Sequence, residues 1–120
     1  MEGPIYKKTI EFSIELMDLY KELLKDHEYI LSRQVIRAGT SIGANVQEAT
    51  AAQSRRDFIN KMSIAAKEAK ETRYWLTVLS EGKLIEYNFD SLLTEIDEII
   101  KILSKIIITA KNNLGKNISN

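Results

Sequence analysis

Between positions 33 and 73 the chain concentrates its capacity to bind anions: Arg33, Arg37, Arg55, Arg56, Lys61, Lys67, Lys70 and Arg73, followed at once by Tyr74 and Trp75. Cations at helical spacing can track a phosphate backbone and displace its counterions, so affinity from such a surface falls steeply with salt. Interleaved with them is a polar ladder, Gln34, Arg37, Ser41, Asn45 and Glu48, whose members lie within about 80° of one another at 100° per residue. Two uses are open to it. The ladder could bond internally or to Lys67, Lys70 or Glu71 of a neighbouring helix, since charged groups beside a core are tolerated when paired. Alternatively, Arg37 and Asn45 could offer planar, multidentate hydrogen bonding to phosphates and base edges.

Catalytic chemistry is poorly supplied. His27 is the only histidine and there is no cysteine, so a Ser-His-Asp arrangement, a thiolate nucleophile, a disulfide and a zinc site all lack their parts. The Glu-x-x-His pairs of di-iron helical bundles do not occur. Gly39 and Gly43 sit one helical turn apart, where missing side chains let another helix approach, and do not have the spacing of a phosphate-cradling loop. Paired carboxylates such as Asp97 with Glu98, or Glu68 with Glu71, could do acid-base work, but ion pairs and solvated faces account for them more simply. No metal, cofactor or small-molecule substrate is expected, and no enzymatic activity.

The charge balance tempers the nucleic-acid reading. Seventeen basic residues offset seventeen acidic ones, whereas a dedicated nucleic-acid domain usually carries a basic excess. The charges are nonetheless segregated. Residues 1–28 hold four lysines and seven acidic residues, residues 29–73 hold eight basic and four acidic residues including every arginine, and residues 74–120 hold five lysines and six acidic residues. Repetition of the basic block by symmetry in an oligomer would strengthen its field.

Those side chains need rigid elements to hold them, and the composition points to helices. With 44% hydrophobic and 28% charged residues the 120-residue chain is of ordinary globular type and suits one domain. Five glycines and one proline are too few to punctuate an all-β chain, which favours long helices with short loops. Four segments follow from the apolar period. The first spans about residues 4–25, opening at Pro4 in the N1 position, with Ile5, Phe12, Leu16, Leu19 and Leu23 inward and Ile10, Ile14, Met17 and Leu24 on an adjoining stripe. The second spans about 28–50, with Asp26 a candidate N-cap. The third spans about 54–81, opened by a capping-box variant in Ser54 and Asp57 and closed by Gly82 in the C′ position. The fourth spans about 90–113, capped by Asp90 or Ser91, with Leu93, Ile100 and Ile107 forming a second stripe beside its heptad seam. Residues 114–120 are expected to fray. Short connections make sequential helices antiparallel, giving an all-α, up-down four-helix bundle in a single domain. Apolar width on helices 1 and 4 beyond what one core needs suggests either burial against another subunit or a thicker core. No stretch approaches the roughly 18 uncharged residues of a membrane span, and the lack of cysteine fits a reducing compartment. A cytoplasmic protein with no membrane partner is expected.

Within residues 34–79 the sequence resembles the four-helix bundle family named for proteins encoded in 23S rRNA intervening sequences. The resemblance is carried by Gln34-Val35-Ile36-Arg37-Ala38, by Ser41-Ile42-Gly43-Ala44-Asn45-Val46-Gln47-Glu48, and by Phe58, Ile64-Ala65 and Glu71. In the family pattern a Gly usually follows the Glu, where this chain has Ala49, and Thr50-Ala51-Ala52 could extend helix 2 or reshape its turn. The resemblance implies a homopentameric ring and a polar network of Gln34, Arg37, Ser41, Asn45, Glu48 and Glu71; a related accessory protein looks like a nucleic-acid-binding pentamer, and where some members are encoded points to rRNA or other RNA as the ligand. A basic surface of Arg33, Arg37, Asn45, Arg55, Arg56, Lys67, Lys70 and Arg73 would then be the contact. The competing expectation is a protein-interaction scaffold with no nucleic-acid ligand, its arginines paired with Glu48, Glu68 and Glu71. In that case Arg37→Ala destabilises the assembly, because breaking a buried pair commonly costs about 3 kcal/mol or more.

Overall fold

A computed structural model describes residues 3–119, with side chains described through residue 115. Four helices account for nearly all of it: α1 (Pro4–Lys25), α2 (Ile30–Ala49), α3 (Arg55–Gly82) and α4 (Asp90–Ser119). Each packs on two others, α1 and α3 both lying against α2 and α4, while the diagonal pairs make no backbone approach. The result is an antiparallel up-down bundle measuring 57 × 22 × 22 Å.

The inward stripes fall where apolar residues recur every three or four positions along the sequence. Phe12, Leu16 and Leu19 of α1, Val35, Ile42 and Val46 of α2, Met62, Ala65 and Leu76 of α3, and Leu92, Ile96, Ile99 and Leu103 of α4 are all buried. Fully burying a side chain of this size stabilises the fold by about 1.5–3 kcal/mol. The α1/α2 seam depends on glycine. A Cβ on Gly39 would stand 2.1 Å from Leu16 Cδ2, and one on Gly43 would stand 3.3 Å from Thr9. The two missing side chains are therefore the space into which α1 packs.

Local stop signals differ from expectation at three helix ends, and the end of α1 is closed by a residue that composition does not mark. Asp26 ends α1 and does not cap α2; the orphan Ser32 N–H instead donates to the Glu28 carboxylate at 2.9 Å. His27 takes the left-handed position (φ 59°) that usually selects glycine. Its N–H bonds back to Leu24 O at 3.0 Å and that of Glu28 to Leu23 O at 2.9 Å, the pattern of a Schellman cap. At the end of α3 the left-handed residue is Lys83 (φ 53°), one position beyond Gly82, which stays helical. At the start of α4, Asn88 Oδ1 accepts from the Asp90 N–H at 3.0 Å. Ser54 behaves as expected, accepting from the Asp57 N–H at 3.1 Å, while Asp57 accepts from the Gln53 N–H at 3.2 Å.

Helix 2 stops at Ala49, and Thr50, Ala51 and Ala52 form the turn through short i→i−3 bonds. Helix 4 continues to Ser119, past the expected end at 113. The two wide apolar faces also part ways. Leu93, Ile100 and Ile107 are half-buried against the core, so α4 uses its second stripe inside the bundle. Ile10, Ile14 and Met17 remain 44%, 62% and 49% exposed, an outward stripe on α1 that no other helix covers.

Candidate nucleic-acid interface

Helix α2 meets α3 through charge at its outer edge. Arg37 donates to Glu68 at 3.4 Å and more closely to Glu71, whose carboxylate also accepts from Trp75 Nε1 at 3.2 Å. One end further along, Lys61 reaches Glu48 at 3.3 Å. The remaining ladder residues turn to their own backbone: Ser41 Oγ donates to Arg37 O at 2.7 Å and Asn45 Nδ2 to Ser41 O at 2.9 Å. Gln34 and Arg33 are exposed on the same helix. The ladder is thus a set of bonds within α2, with Arg37 and Glu48 as its two bridges to α3. Arg37 is half exposed, so water screens the pair, and breaking it should cost about 1 kcal/mol or less, well short of a buried pair.

Arg73 is likewise engaged, donating from Nε to Asp97 Oδ1 of α4 at 2.6 Å. Helix α1 is tied to α4 by Lys8, which donates to Glu95 at 2.8 Å and Glu98 at 2.6 Å; bonding to the two carboxylates raises its pKa. Near the opposite end Tyr87 donates to Asp18 at 2.9 Å. Burial first, and then that hydrogen bond, push its pKa up to about 12.

Arg55, Arg56, Lys67 and Lys70 have no ion-pair partner among the described residues, and all four lie on α3. Two clefts sharing Ser63 run end to end in the groove between α3 and α4. One, of about 360 Å³, includes Arg56, Asn60 and Lys111. The other, of about 510 Å³, includes Lys67, Lys70 and Ser104, floored by Ala66, Ile107 and Ile108. No carboxylate lines either cleft. From Arg56 to Lys70 the groove runs about 20 Å along α3. Arg33, Arg37 and Asn45 are not part of this face, since they belong to α2.

Lys111 of α4 completes the groove's charge, while Lys105 lines a separate cleft; both escape a block-by-block count. Residues 74–120 nearly balance in charge, yet every acidic residue of that block precedes Ile99 and four of its five lysines follow it. Counting charge per half-helix would have exposed a basic end. Among the described residues no group of three or more His, Cys, Asp or Glu side chains is placed to hold a metal ion, and no helix is long and apolar enough to cross a membrane.

A family model described as 23S rRNA-intervening sequence protein matches residues 2–105. The crystal structure of a protein of unknown function from the S23 ribosomal protein family of Bacteroides thetaiotaomicron is 46% identical, with a TM-score of 0.82, covering 86% of this chain and 97% of that one. No curated protein matches the chain.

Proposed function

Because the chain belongs to the 23S rRNA-intervening sequence protein family, we propose that it is a non-enzymatic, self-associating helical bundle of the cytoplasm that binds structured RNA along the α3/α4 groove. One observation carries this: Arg56, Lys67, Lys70 and Lys111, the cations that line the groove, hold no ion pair among the described residues, whereas Arg37 and Arg73 are already occupied by carboxylates. Unpaired cations are the ones that can exchange counterions for phosphates. Serine and asparagine side chains in the groove add neutral donors of the kind that position a sugar-phosphate backbone. Arg37 and Arg73 act in this account as struts between helices.

Self-association is proposed through the uncovered stripe of Ile10, Ile14 and Met17, whose spacing of four and three places the side chains on one face of α1. A ring of five copies is the assembly we propose, and it would repeat the basic groove around a common axis. Fluorescence anisotropy of labelled structured RNA, single-stranded RNA and duplex DNA at two salt concentrations tests the proposal. Micromolar or tighter binding to RNA that weakens steeply with salt supports it. Absence of binding at low salt favours the second reading, a protein-interaction scaffold, to which the occupied Arg37 and Arg73 would belong.

A further inference from the structure

At the end of the bundle where α2 turns into α3, a separate cleft of about 400 Å³ is floored by Phe58, Ile102 and Ile106 and rimmed by Arg55, Lys105 and Asn113. Lys8 pairs with Glu95 and Glu98 and the described part of α1 begins one turn earlier, at Pro4, so it runs alongside α4 only as far as about residue 102, and the cleft lies beyond that. The volume is in the range of small-ligand sites, and the lining is almost wholly apolar: an aromatic ring and branched aliphatics form it, with two cations without an ion pair and one amide only at its rim.

Two features point to what would enter. Arg55 and Arg56 are consecutive in the first turn of α3, about 100° apart around its axis, so one serves the cleft and the other serves the α3/α4 groove. A strand lying in the groove reaches the cleft's rim by moving one residue around α3. The amide of Asn113 can both donate and accept, as the edge of a base requires. We infer that the cleft takes one unpaired base of the bound RNA, stacked on Phe58, with Arg55 and Lys105 on the flanking phosphates. This rests on the RNA-binding reading and narrows its substrate class to RNA with a bulged or looped-out base, since an unbroken duplex keeps its bases stacked inside.

The test uses two RNA hairpins, each closed by a non-nucleotide linker so that no loop base is unpaired, and identical except for a single bulged 2-aminopurine, with anisotropy reporting affinity and 2-aminopurine emission reporting the base's surroundings. The full chain should bind the bulged hairpin roughly tenfold tighter, the scale of one stacked base, with emission changing at saturation. Phe58→Leu keeps an apolar side chain against the core and removes the ring. It should erase the preference while leaving the perfect hairpin's affinity and salt slope as they were, with a circular dichroism melt checking the fold. Lys105→Ala, at an exposed position, should lower the salt slope for the bulged hairpin by about 1. Equal affinity for the two hairpins with unchanged emission would overturn the inference and leave RNA binding standing; no binding of either hairpin at low salt would overturn both. Dodecanoate, an anion with an apolar body and no ring, shifting the Phe58 ring resonances while the hairpins do not, would assign the cleft to an aliphatic acid instead. A Phe58→Leu chain whose assembly mass changes with bulge preference intact would assign the cleft to a second copy.

Discussion

Single residues in this bundle divide into those that let helices approach and those that hold them once there. Gly39 and Gly43 belong to the first kind, and the structure distinguishes them. Alanine is favoured over glycine inside a helix by about 1 kcal/mol. At Gly43 the new methyl would meet Thr9 at 3.3 Å, a contact that a slight shift accommodates, so Gly43→Ala should leave the melting temperature nearly unchanged. At Gly39 it would overlap Leu16, which is fully buried and fixed in the core. Overpacking of that kind costs about 1–3 kcal/mol, so Gly39→Ala should melt lower than both the parent and Gly43→Ala in thermal unfolding followed by circular dichroism. The glycine spacing and its use for helix approach were legible in the sequence, but which glycine is the tighter was not, because that depends on the rotamer of a leucine on another helix. Left-handed caps were equally hidden: His27 and Lys83 occupy positions where composition favours glycine, and only the bonding of neighbouring backbone reveals them.

Helices as units were the most legible part. Apolar side chains recurring every three or four residues mark the inner stripes of all four, since each must bury one face. Less legible was which outer stripe stays bare, since Ile10, Ile14 and Met17 read like Leu93, Ile100 and Ile107 until the neighbouring helix is in place. The polar ties between elements were partly legible: Arg37 with Glu68 and Glu71 joins residues that the ladder had marked, whereas Lys8 with Glu95 and Glu98 spans the chain from end to end. Tyr87 with Asp18 is another such tie, linking the α3/α4 connection to α1, and it sets a pH dependence. The folded-state pKa of Tyr87 is raised from 10.0 to about 12, so its contribution is complete below pH 10 and is lost as pH climbs toward 12. Lys8, whose pKa is also raised from 10.5, adds a contribution that is complete below that pH and is lost on going further above it. Urea titrations at pH 9 and pH 11 should show the parent weakening and Tyr87→Phe weakening less. Equal losses in the two chains would contradict a stabilising Tyr87–Asp18 bond.

At the scale of the whole molecule, two faces differ in character. The outward side of α1 carries Ile10, Ile14 and Met17, and the α3/α4 groove carries a run of unpaired cations with no carboxylate among its lining residues, so assembly and RNA binding would use different sides of the bundle. Ile14→Glu, which puts a charge at the most exposed position of the stripe, should reduce the assembly's mass in light scattering while helicity persists. An unchanged mass would move the subunit interface elsewhere. Net charge hid this arrangement, because acidic residues on α1 and the first half of α4 cancel the basic half in any whole-chain sum.

Whether the unpaired groove lysines or the strut arginines bind RNA is decided by the slope of log affinity against log salt. Lys67→Gln/Lys70→Gln and Arg37→Gln/Arg73→Gln remove the same charge from α3 and its two borders. If the groove holds the RNA, the lysine pair flattens the slope by roughly 2, about 1 for each phosphate that is no longer neutralised, while the arginine pair leaves the slope alone and lowers only the melting temperature. Equal flattening by both pairs, or flattening by the arginine pair alone, would contradict the account and return the binding surface to α2 and α3.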